Sequence, residues 1–267
     1  MAPRRRNADQ LRRSHLEFRR PLEKLFTETY RRQMVMLRAA TVQELDPFNL
    51  KQWQERIGEA MRPTYRRVMA AGGRRYLQQL APFVPRKVGR WVEKQGPRAA
   101  GVLVELEKTF AARLSETIAT TWEELSGVVA NAEAEGLGID AIEILLGDSW
   151  EDIVGPRTEA ITVSEVTGSL NAVSDFLGTE LVELNDWISA GDDRVRATHQ
   201  TYAAAGPRPP GFNWATLIGA TYTLDFPADP ACTELAEVVN CRCFLAPSVT
   251  SAPSGLRFDE VAEQFFG

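Results

Sequence analysis

An unbroken stripe of large apolar side chains constrains this chain's fold more than any other feature of its sequence. Within residues 97–134, apolar residues recur every three or four positions, at Leu103, Leu106, Phe110, Leu114, Ile118, Trp122, Leu125 and Val129. This spacing puts them on one side of an α-helix, which must bury that side against other elements. The same spacing over residues 8–38 and from Leu50 to Met61 predicts two more helices ahead of it.

Prolines and glycines predict where these helices end, because both residue types disfavour a helix interior. Pro21 is expected to kink or split the first helix, and Gly72-Gly73 to break the second. The sequence Gly-Leu-Gly at residues 136–138 predicts a turn between helices. After it we expect two separate helices, over residues 139–146 and 156–176.

The pattern changes after Gly178, where short runs rich in β-branched and aromatic residues replace the helical spacing. These runs predict strands at residues 181–188, 221–224 and 241–245. The sequence therefore predicts an α+β fold that is predominantly helical, with an N-terminal helical region followed by a small mixed α+β module. The expected division is a basic helical region at 1–150, the module at 151–246, and a linker with a short apolar tail at 247–267.

Charge is distributed very unevenly along the chain. The net charge is −5, but residues 1–100 hold 23 Lys and Arg against 9 Asp and Glu, whereas residues 101–267 hold 8 against 27. Such a division indicates two surfaces with different partners, the basic one facing nucleic acid or an acidic protein. The alternative is that these are simply solvated helix faces rich in arginine. No DNA-reading motif accompanies the arginines, so any contact with DNA would be to phosphate and independent of sequence.

Membrane insertion and secretion are not expected from the sequence. It contains no apolar run near the ~18–20 residues that a membrane-spanning helix needs. No apolar stretch follows the basic start at residues 1–6, so a secretory signal is not expected either.

Two polar segments about 40 residues apart contain most of the residues capable of chemistry. We expect them to form one structural cluster of Asp193, Arg194, Arg196, His199, Asn240 and Arg242. The four residues His199, Cys232, Cys241 and Cys243 would suffice for a tetrahedral zinc site, although buried thiols without a metal are the alternative. The chain has two histidines and no Gly-x-Ser-x-Gly segment, so no catalytic set is expected.

The order of these segments resembles the phage head-morphogenesis family of minor capsid proteins similar to the Mu F protein. The matching features are Arg157 with Ser164-Glu165, Trp187, the run Asp193 to His199, Pro227 to Pro230, and Asn-Cys-Arg-Cys at residues 240–243. The resemblance spans roughly residues 120–245. Ser164 stands where the family usually has threonine, and Cys232 matches no family position. The resemblance implies zinc coordination at His199, Cys241 and Cys243, which match the cysteine and histidine positions of some relatives.

The resemblance implies a minor structural protein of a tailed-phage or prophage head, made in the host cytoplasm and located in the virion. Its implied partners are the portal protein, the major capsid protein or both, with packaged DNA near the basic half. Two alternatives stay open. One is an effector enzyme similar to ADP-ribosyltransferases that uses Arg157 and Glu165, which an open pocket around them would favour. The other is a general DNA-binding protein, which a continuous basic stripe would favour.

The C-terminal tail carries a short apolar stripe of its own. Phe258, Val261 and Phe265 recur at helical spacing after a Ser/Pro-rich linker over residues 247–254. A tethered apolar helix of this kind is typical of helix-in-groove recognition. We therefore expect the tail either to dock on another head subunit or to fold back on its own chain.

Overall fold

The computed structural model describes residues 8–44, 50–80, 101–182 and 184–248. Four long helices occupy most of them: α1 (Ala8–Glu44), α2 (Leu50–Leu80), α3 (Gly101–Ala134) and α4 (Ile139–Leu181). The remainder contains β1 (Leu184–Ile188), α5 (Ala197–Ala204), a 3₁₀ helix (Trp214–Ile218), α6 (Leu235–Val238) and β2 (Phe244–Ser248). The predicted α+β, predominantly helical fold is confirmed.

The four long helices bury one continuous apolar core, as their apolar spacing predicts. Phe26 of α1 packs edge-on against Tyr65 of α2, with ring centroids 5.4 Å apart, and Tyr65 in turn lies 5.7 Å from Phe110 of α3. From α4, Val166, Leu170, Val173 and Leu177 enter the same core. The boundary expected between residues 150 and 151 falls inside α4, which belongs to this core up to Leu177.

The predicted break at Gly72-Gly73 is wrong, because α2 runs through it to Leu80. A Cβ atom at Gly72 would lie 2.9 Å from Cδ2 of Leu170 and 3.3 Å from its Cα. The glycine therefore allows α2 to approach α4 closely, and the packing gained there outweighs the poor helix propensity of glycine.

The prolines also fail to divide the helices. Helix α1 runs through Pro21, and α4 is one helix through Pro156 rather than the two predicted over residues 139–146 and 156–176. Both prolines lie on exposed helix faces, so the carbonyl that each leaves without a helical partner faces water. Trp150 and Val154, just before Pro156, are buried in the core and hold that part of α4 in place.

The two described strands form an antiparallel pair in which Trp187 lies opposite Leu245. The strand predicted at residues 181–188 is shorter than expected because Leu181 still belongs to α4. The strand predicted at 221–224 does not form. Its backbone is held instead by Asn213, whose Oδ1 accepts from the Leu224 N–H at 3.0 Å and whose Nδ2 donates to Tyr222 O at 3.3 Å.

A second apolar cluster fills the α+β module, separate from the helical core. Its large members are Trp187, Tyr202, Trp214, Leu224 and Leu245, and all three cysteines lie within it. The N-terminal end of α1 covers the other face of the strand pair. His15 stacks on Phe244 with ring centroids 4.0 Å apart, and Arg12 Nε donates to Ser189 O at 3.0 Å.

Several predicted features lie outside the described residues. These are the tail with Phe258, Val261 and Phe265, nearly all of the linker at 247–254, and the first residues of the helix predicted from 97. Among the helices that the structure does describe, none is long and apolar enough to cross a membrane.

Substituting Gly168 of α4 tests the contact between this helix and the module. A Cβ atom there would lie 2.6 Å from Ala228 O and 2.9 Å from Phe110 Cε1. We expect Gly168→Ala to lower the free energy of unfolding by about 1–3 kcal/mol, because backbone and a buried ring must move.

Gly127→Ala is the matched control, since Gly127 is also within a helix and has open space around it. It should raise the free energy of unfolding by about 0.5–1 kcal/mol through helix propensity. Chemical denaturation of both variants measures the difference. Equal stability of Gly168→Ala and the wild-type chain would contradict the close approach.

Candidate metal centre

His199, Cys241 and Cys243 come together in the buried centre of the module. His199 lies on α5, and the two cysteines lie on the extended segment immediately before β2. Nδ1 of His199 is 3.6 Å from Sγ of Cys241 and 3.4 Å from Sγ of Cys243. The three donor atoms all lie within 4.8 Å of one another. Because residues two apart on an extended backbone point to the same side, both thiols reach the same imidazole.

The segment carrying the cysteines is anchored to α4 at its first residue. Asn240 adopts a left-handed backbone with φ of 57°, a conformation that asparagine tolerates better than most residues. Its backbone N–H donates to Ser164 Oγ at 2.9 Å, and Ser164 Oγ donates to Ala160 O at 2.7 Å. The turn at Asn240 thus begins against α4, and the next three residues run back toward His199.

The far side of the His199 ring faces a buried carboxylate. Nε2 lies 3.0 Å from Oε2 of Glu237, although the two groups are not aligned for a linear hydrogen bond. Thr198 Oγ1 lies 3.0 and 3.1 Å from the two carboxylate oxygens and holds Glu237 in place. If a metal ion occupied Nδ1, a carboxylate in this position would hold the ring proton at Nε2.

The pKa values of the two thiols shift in opposite directions, because each thiol affects the pKa of the other. The hydrogen bond from Cys241 and the adjacent His199 hold the pKa of Cys243 well below its ordinary value. Burial, together with the neighbouring Cys243, raises the pKa of Cys241 well above its ordinary value.

The donor set fits zinc in both chemistry and spacing. Zinc takes thiolate and imidazole ligands at about 2.3 and 2.0–2.1 Å, so a tetrahedral site separates sulfur and nitrogen by ~3.6 Å. The observed separations of 3.4 and 3.6 Å agree with that value. The carboxylate behind the imidazole is the partner that metal-bound histidines commonly have.

Cys232 does not join the predicted four-residue set. It is buried in the same apolar cluster, but its Sγ donates to Glu234 O at 3.7 Å and is not among the three grouped donor atoms. Cys232 lies just before α6, whose N-cap residue Glu234 accepts from the Ala236 N–H. Among the described residues, the group that could hold a metal ion therefore contains three donors, His199, Cys241 and Cys243.

The polar cluster forms with a different aspartate from the one predicted. Arg242 makes a two-pronged ion pair with Asp192, with Nη2 2.8 Å from Oδ1, whereas Asp193 is exposed and has no bonding partner among the described residues. Burial acts to raise the pKa of Asp192, but the Arg242 guanidinium outweighs it and holds that pKa below its ordinary value. Asp192 Oδ1 also accepts from the backbone N–H of Arg194 at 3.2 Å, which shapes the turn.

The other predicted members of the cluster occupy different places. Arg196 donates to Val239 O and so joins the start of α5 to the end of α6. The guanidinium of Arg194 is exposed, and only the backbone of this residue takes part. Asn240 contributes through its backbone conformation and its N–H group. His199 belongs to the cysteine group described above.

Arg157, Ser164 and Glu165 do not form one site. Arg157 contacts Thr121 and Glu124 of α3. The hydroxyl of Ser164 instead accepts a hydrogen bond from the backbone N–H of Asn240. Glu165 is buried in the helical core, and this burial raises its pKa. Its Oε2 accepts from the Tyr65 hydroxyl at 2.8 Å, and its Oε1 lies 3.5 Å from Arg113 Nε. A carboxylate enclosed in this way is not placed to meet a nucleotide.

Asn171 is the important residue that the sequence reasoning missed. From α4 its Nδ2 lies 2.9 Å from Thr167 O, 3.2 Å from Pro227 O and 3.1 Å from Cys243 O, and its Oδ1 accepts from the Leu245 N–H at 2.9 Å. One amide thus joins α4 to a loop and to the start of β2. The sequence held one signal of this role: Asn171 lies in a helical segment, Val166 to Ser174, that has no charged residue, which indicates a buried asparagine.

Comparison with known proteins gives no match, whether with protein-family models, curated proteins or solved structures. The likeness to head-morphogenesis proteins therefore rests on the motif residues of this chain. The structure brings several of them together, because Ser164 meets Asn240 and His199 meets both cysteines of the Cys-Arg-Cys segment. Asp193 of the same motif remains outside the cluster.

Replacing Asp192 with asparagine tests the corrected pairing. We expect Asp192→Asn to lower the free energy of unfolding at pH 7 by about 1 kcal/mol or less, because the carboxylate is partly exposed to solvent. Asp193→Asn is the matched control and should leave stability unchanged.

The effect of Asp192→Asn should also depend on pH. A lowered carboxyl pKa stabilises the fold above the ordinary value of about 4 and loses that contribution as the pH falls through the lowered value. Thermal unfolding from pH 7 to pH 3 should therefore show the wild-type chain and Asp192→Asn converging. A larger loss for Asp193→Asn than for Asp192→Asn would contradict the assignment.

Proposed function

We propose that this chain is a minor structural protein of a tailed-phage head that acts in head morphogenesis. The observation that carries the proposal is the convergence of the family-like motif on one buried unit. Ser164, His199 and the pair Cys241 and Cys243 come from three separate parts of the sequence, yet each makes contacts inside the protein. Residues used in this way serve to hold a module together, which suits an assembly component.

The division of charge between the helices supports an assembly role. Exposed basic residues dominate the outer faces of α1 and α2, whereas the outer faces of α3 and α4 are mainly acidic. Such a chain presents opposite charges to different neighbours, which favours a fixed orientation within a larger particle. We propose the portal protein, the major capsid protein or both as its protein partners, inside the virion.

The enzyme alternative has weaker support. An ADP-ribosyltransferase-like role requires Glu165 to reach a nucleotide, but its side chain is only 4% exposed and is paired with Tyr65 and Arg113. Arg157, the other residue in that hypothesis, is directed at α3.

We expect the full chain to co-purify with head proteins from cells that are assembling phage particles. The measurement is affinity purification of the tagged chain, with mass spectrometry of its partners and of purified heads. Portal or major capsid protein should be recovered with it, and the chain itself should be present in the heads. A chain that is absent from heads and recovers neither protein would contradict the proposal.

A chain lacking residues 255–267 tests the proposed docking of the tail residues Phe258, Val261 and Phe265 in the same experiment. It should enter heads less efficiently while the isolated protein keeps its melting temperature. Incorporation equal to that of the full chain would contradict docking. A lower melting temperature would also contradict it, since the tail would then belong to its own fold.

We also propose that His199, Cys241 and Cys243 hold a structural zinc ion. The spacing of the three donor atoms and the carboxylate behind the imidazole support this proposal. Bound zinc would keep both thiols as thiolates and cross-link α5 to the segment before β2, in a module with few regular elements. A thiol–imidazole hydrogen bond without metal is the competing explanation.

Zinc content distinguishes these two explanations. Elemental analysis of the full chain should give one zinc per molecule, and Cys243→Ser should abolish it and lower the melting temperature. Cys232→Ser is the matched control, because Cys232 is also buried in the module but is not among the grouped donors. A wild-type chain without zinc, or equal zinc loss in both variants, would contradict the proposed site.

A further inference from the structure

The outer face of α1 carries a straight line of basic side chains. Arg13, Arg20, Lys24 and Arg31 are all exposed and follow one another at intervals of seven, four and seven residues. Because seven and four residues are close to whole numbers of helical turns, these side chains lie along one side of the helix. The line covers 18 residue intervals, or ~27 Å at the rise of an α-helix.

The opposite side of α1 is the one buried in the helical core, through residues such as Phe26, Tyr30 and Met34. Helix α2 lies antiparallel beside α1. This follows from two contacts, Arg75 with Ser14 and Thr64 with Thr29. The basic line on α1 is therefore held rigidly on the outside of the bundle.

Helix α2 extends this basic surface. Arg67 and Arg74 are exposed, are seven residues apart, and lie on the stretch of α2 that borders α1. We define the basic face as the exposed residues Arg13, Arg20, Lys24, Arg31, Arg67 and Arg74. Asp9, Glu17 and Glu28 are exposed acidic residues on the same side of α1. Asp9 pairs with Arg12 at 2.9 Å, and Glu28 pairs only loosely with Lys24 at 3.9 Å.

The arginines of the basic face differ from others on the same helices. Arg19, Arg62 and Arg66 each have an acidic partner, Glu23, Glu59 and Glu107 respectively. The five arginines of the basic face have no acidic partner among the described residues. Their side chains are exposed to solvent.

The acidic residues lie mainly on other helices, so they do not neutralise this face. The exposed acidic residues of α3 and α4 include Glu116, Glu123, Glu133, Asp140, Glu143, Asp148, Asp152 and Glu159. A polyanion would be attracted to α1 and α2 and repelled from α3 and α4. The net charge of −5 thus conceals a one-sided electrostatic surface.

We propose that the basic face binds the sugar-phosphate backbone of double-stranded DNA. A long, rigid line of exposed cations matches a regular polyanion. Protein interfaces usually centre on buried apolar or aromatic anchor residues. Among the described side chains of α1, the exposed large apolar residues Val35 and Met36 lie at the C-terminal end of the basic line, not within it. The inference rests on the proposed function for the identity of the polyanion, because a phage head contains packaged duplex DNA.

The test measures binding of the full chain to duplex DNA of mixed sequence by fluorescence anisotropy over a range of salt concentrations. The logarithm of the binding constant should fall linearly with the logarithm of salt, with a slope of about −0.9 per phosphate contact. A variant with Arg13, Arg20, Lys24 and Arg31 all changed to glutamine should have a slope smaller in magnitude by about 3.6. Its affinity near 50 mM salt should fall at least ~100-fold.

Single substitutions provide a matched comparison. Arg20→Gln and Arg194→Gln each remove one exposed arginine, but Arg194 lies on the turn after β1 and is not one of the residues of the basic face. Arg20→Gln should reduce the magnitude of the slope by about 0.9, while Arg194→Gln should leave it unchanged. Equal effects of the two would overturn the proposal, because binding would then follow net charge alone.

Two further outcomes separate this inference from the proposed function. No duplex binding at about 50 mM salt, with binding to poly-glutamate instead, overturns the inference in favour of an acidic protein partner. If the four-residue variant enters heads normally and the wild-type chain binds no DNA, the inference fails while the head role stands. Binding that depends on these four residues supports the inference even if the chain is absent from heads.

Discussion

The amide of Asn171 is the interaction on which the rest of the structure depends. It lies within α4, is almost completely buried, and bonds to the backbone of a loop and of the segment that leads into β2. Losing it would leave the Leu245 N–H and two carbonyls without their partner. Each unsatisfied buried group costs about 1–3 kcal/mol. Asn171 of α4 thus fixes the position of the segment that carries Cys243 and leads into β2.

Asn171 is one of a row of small or polar residues along α4 that face the module. Ser164 receives the Asn240 N–H, Gly168 allows Ala228 O to approach, and Asp175 accepts from the Gly211 N–H at 3.2 Å. Gly178 leaves room for the side chain of Asn185. These residues recur at intervals of three and four, so α4 has one apolar side for the bundle and one small, polar side for the module. The two parts therefore share one helix.

The sequence predicted the parts of this structure that depend on local patterns. Apolar spacing located the long helices, and the grouping of His199 with Cys241 and Cys243 was anticipated. Local patterns did not show that α2 and α4 continue through glycine and proline, because contacts such as that of Gly72 with Leu170 decide this. Asp192 and Asp193 are equivalent in sequence, and only the geometry of the turn selects the one that meets Arg242. The roles of Asn171 and Glu237 required the tertiary contacts.

Hydrogen exchange at the Leu245 amide tests most directly the claim that α4 holds the module through Asn171. In the wild-type chain this amide should exchange only on global unfolding, as slowly as core amides of the bundle such as that of Leu114. In Asn171→Ala it should exchange much faster through local opening of the module, while Leu114 keeps most of its protection. Leu245 protection that matches Leu114 in both proteins would contradict the account.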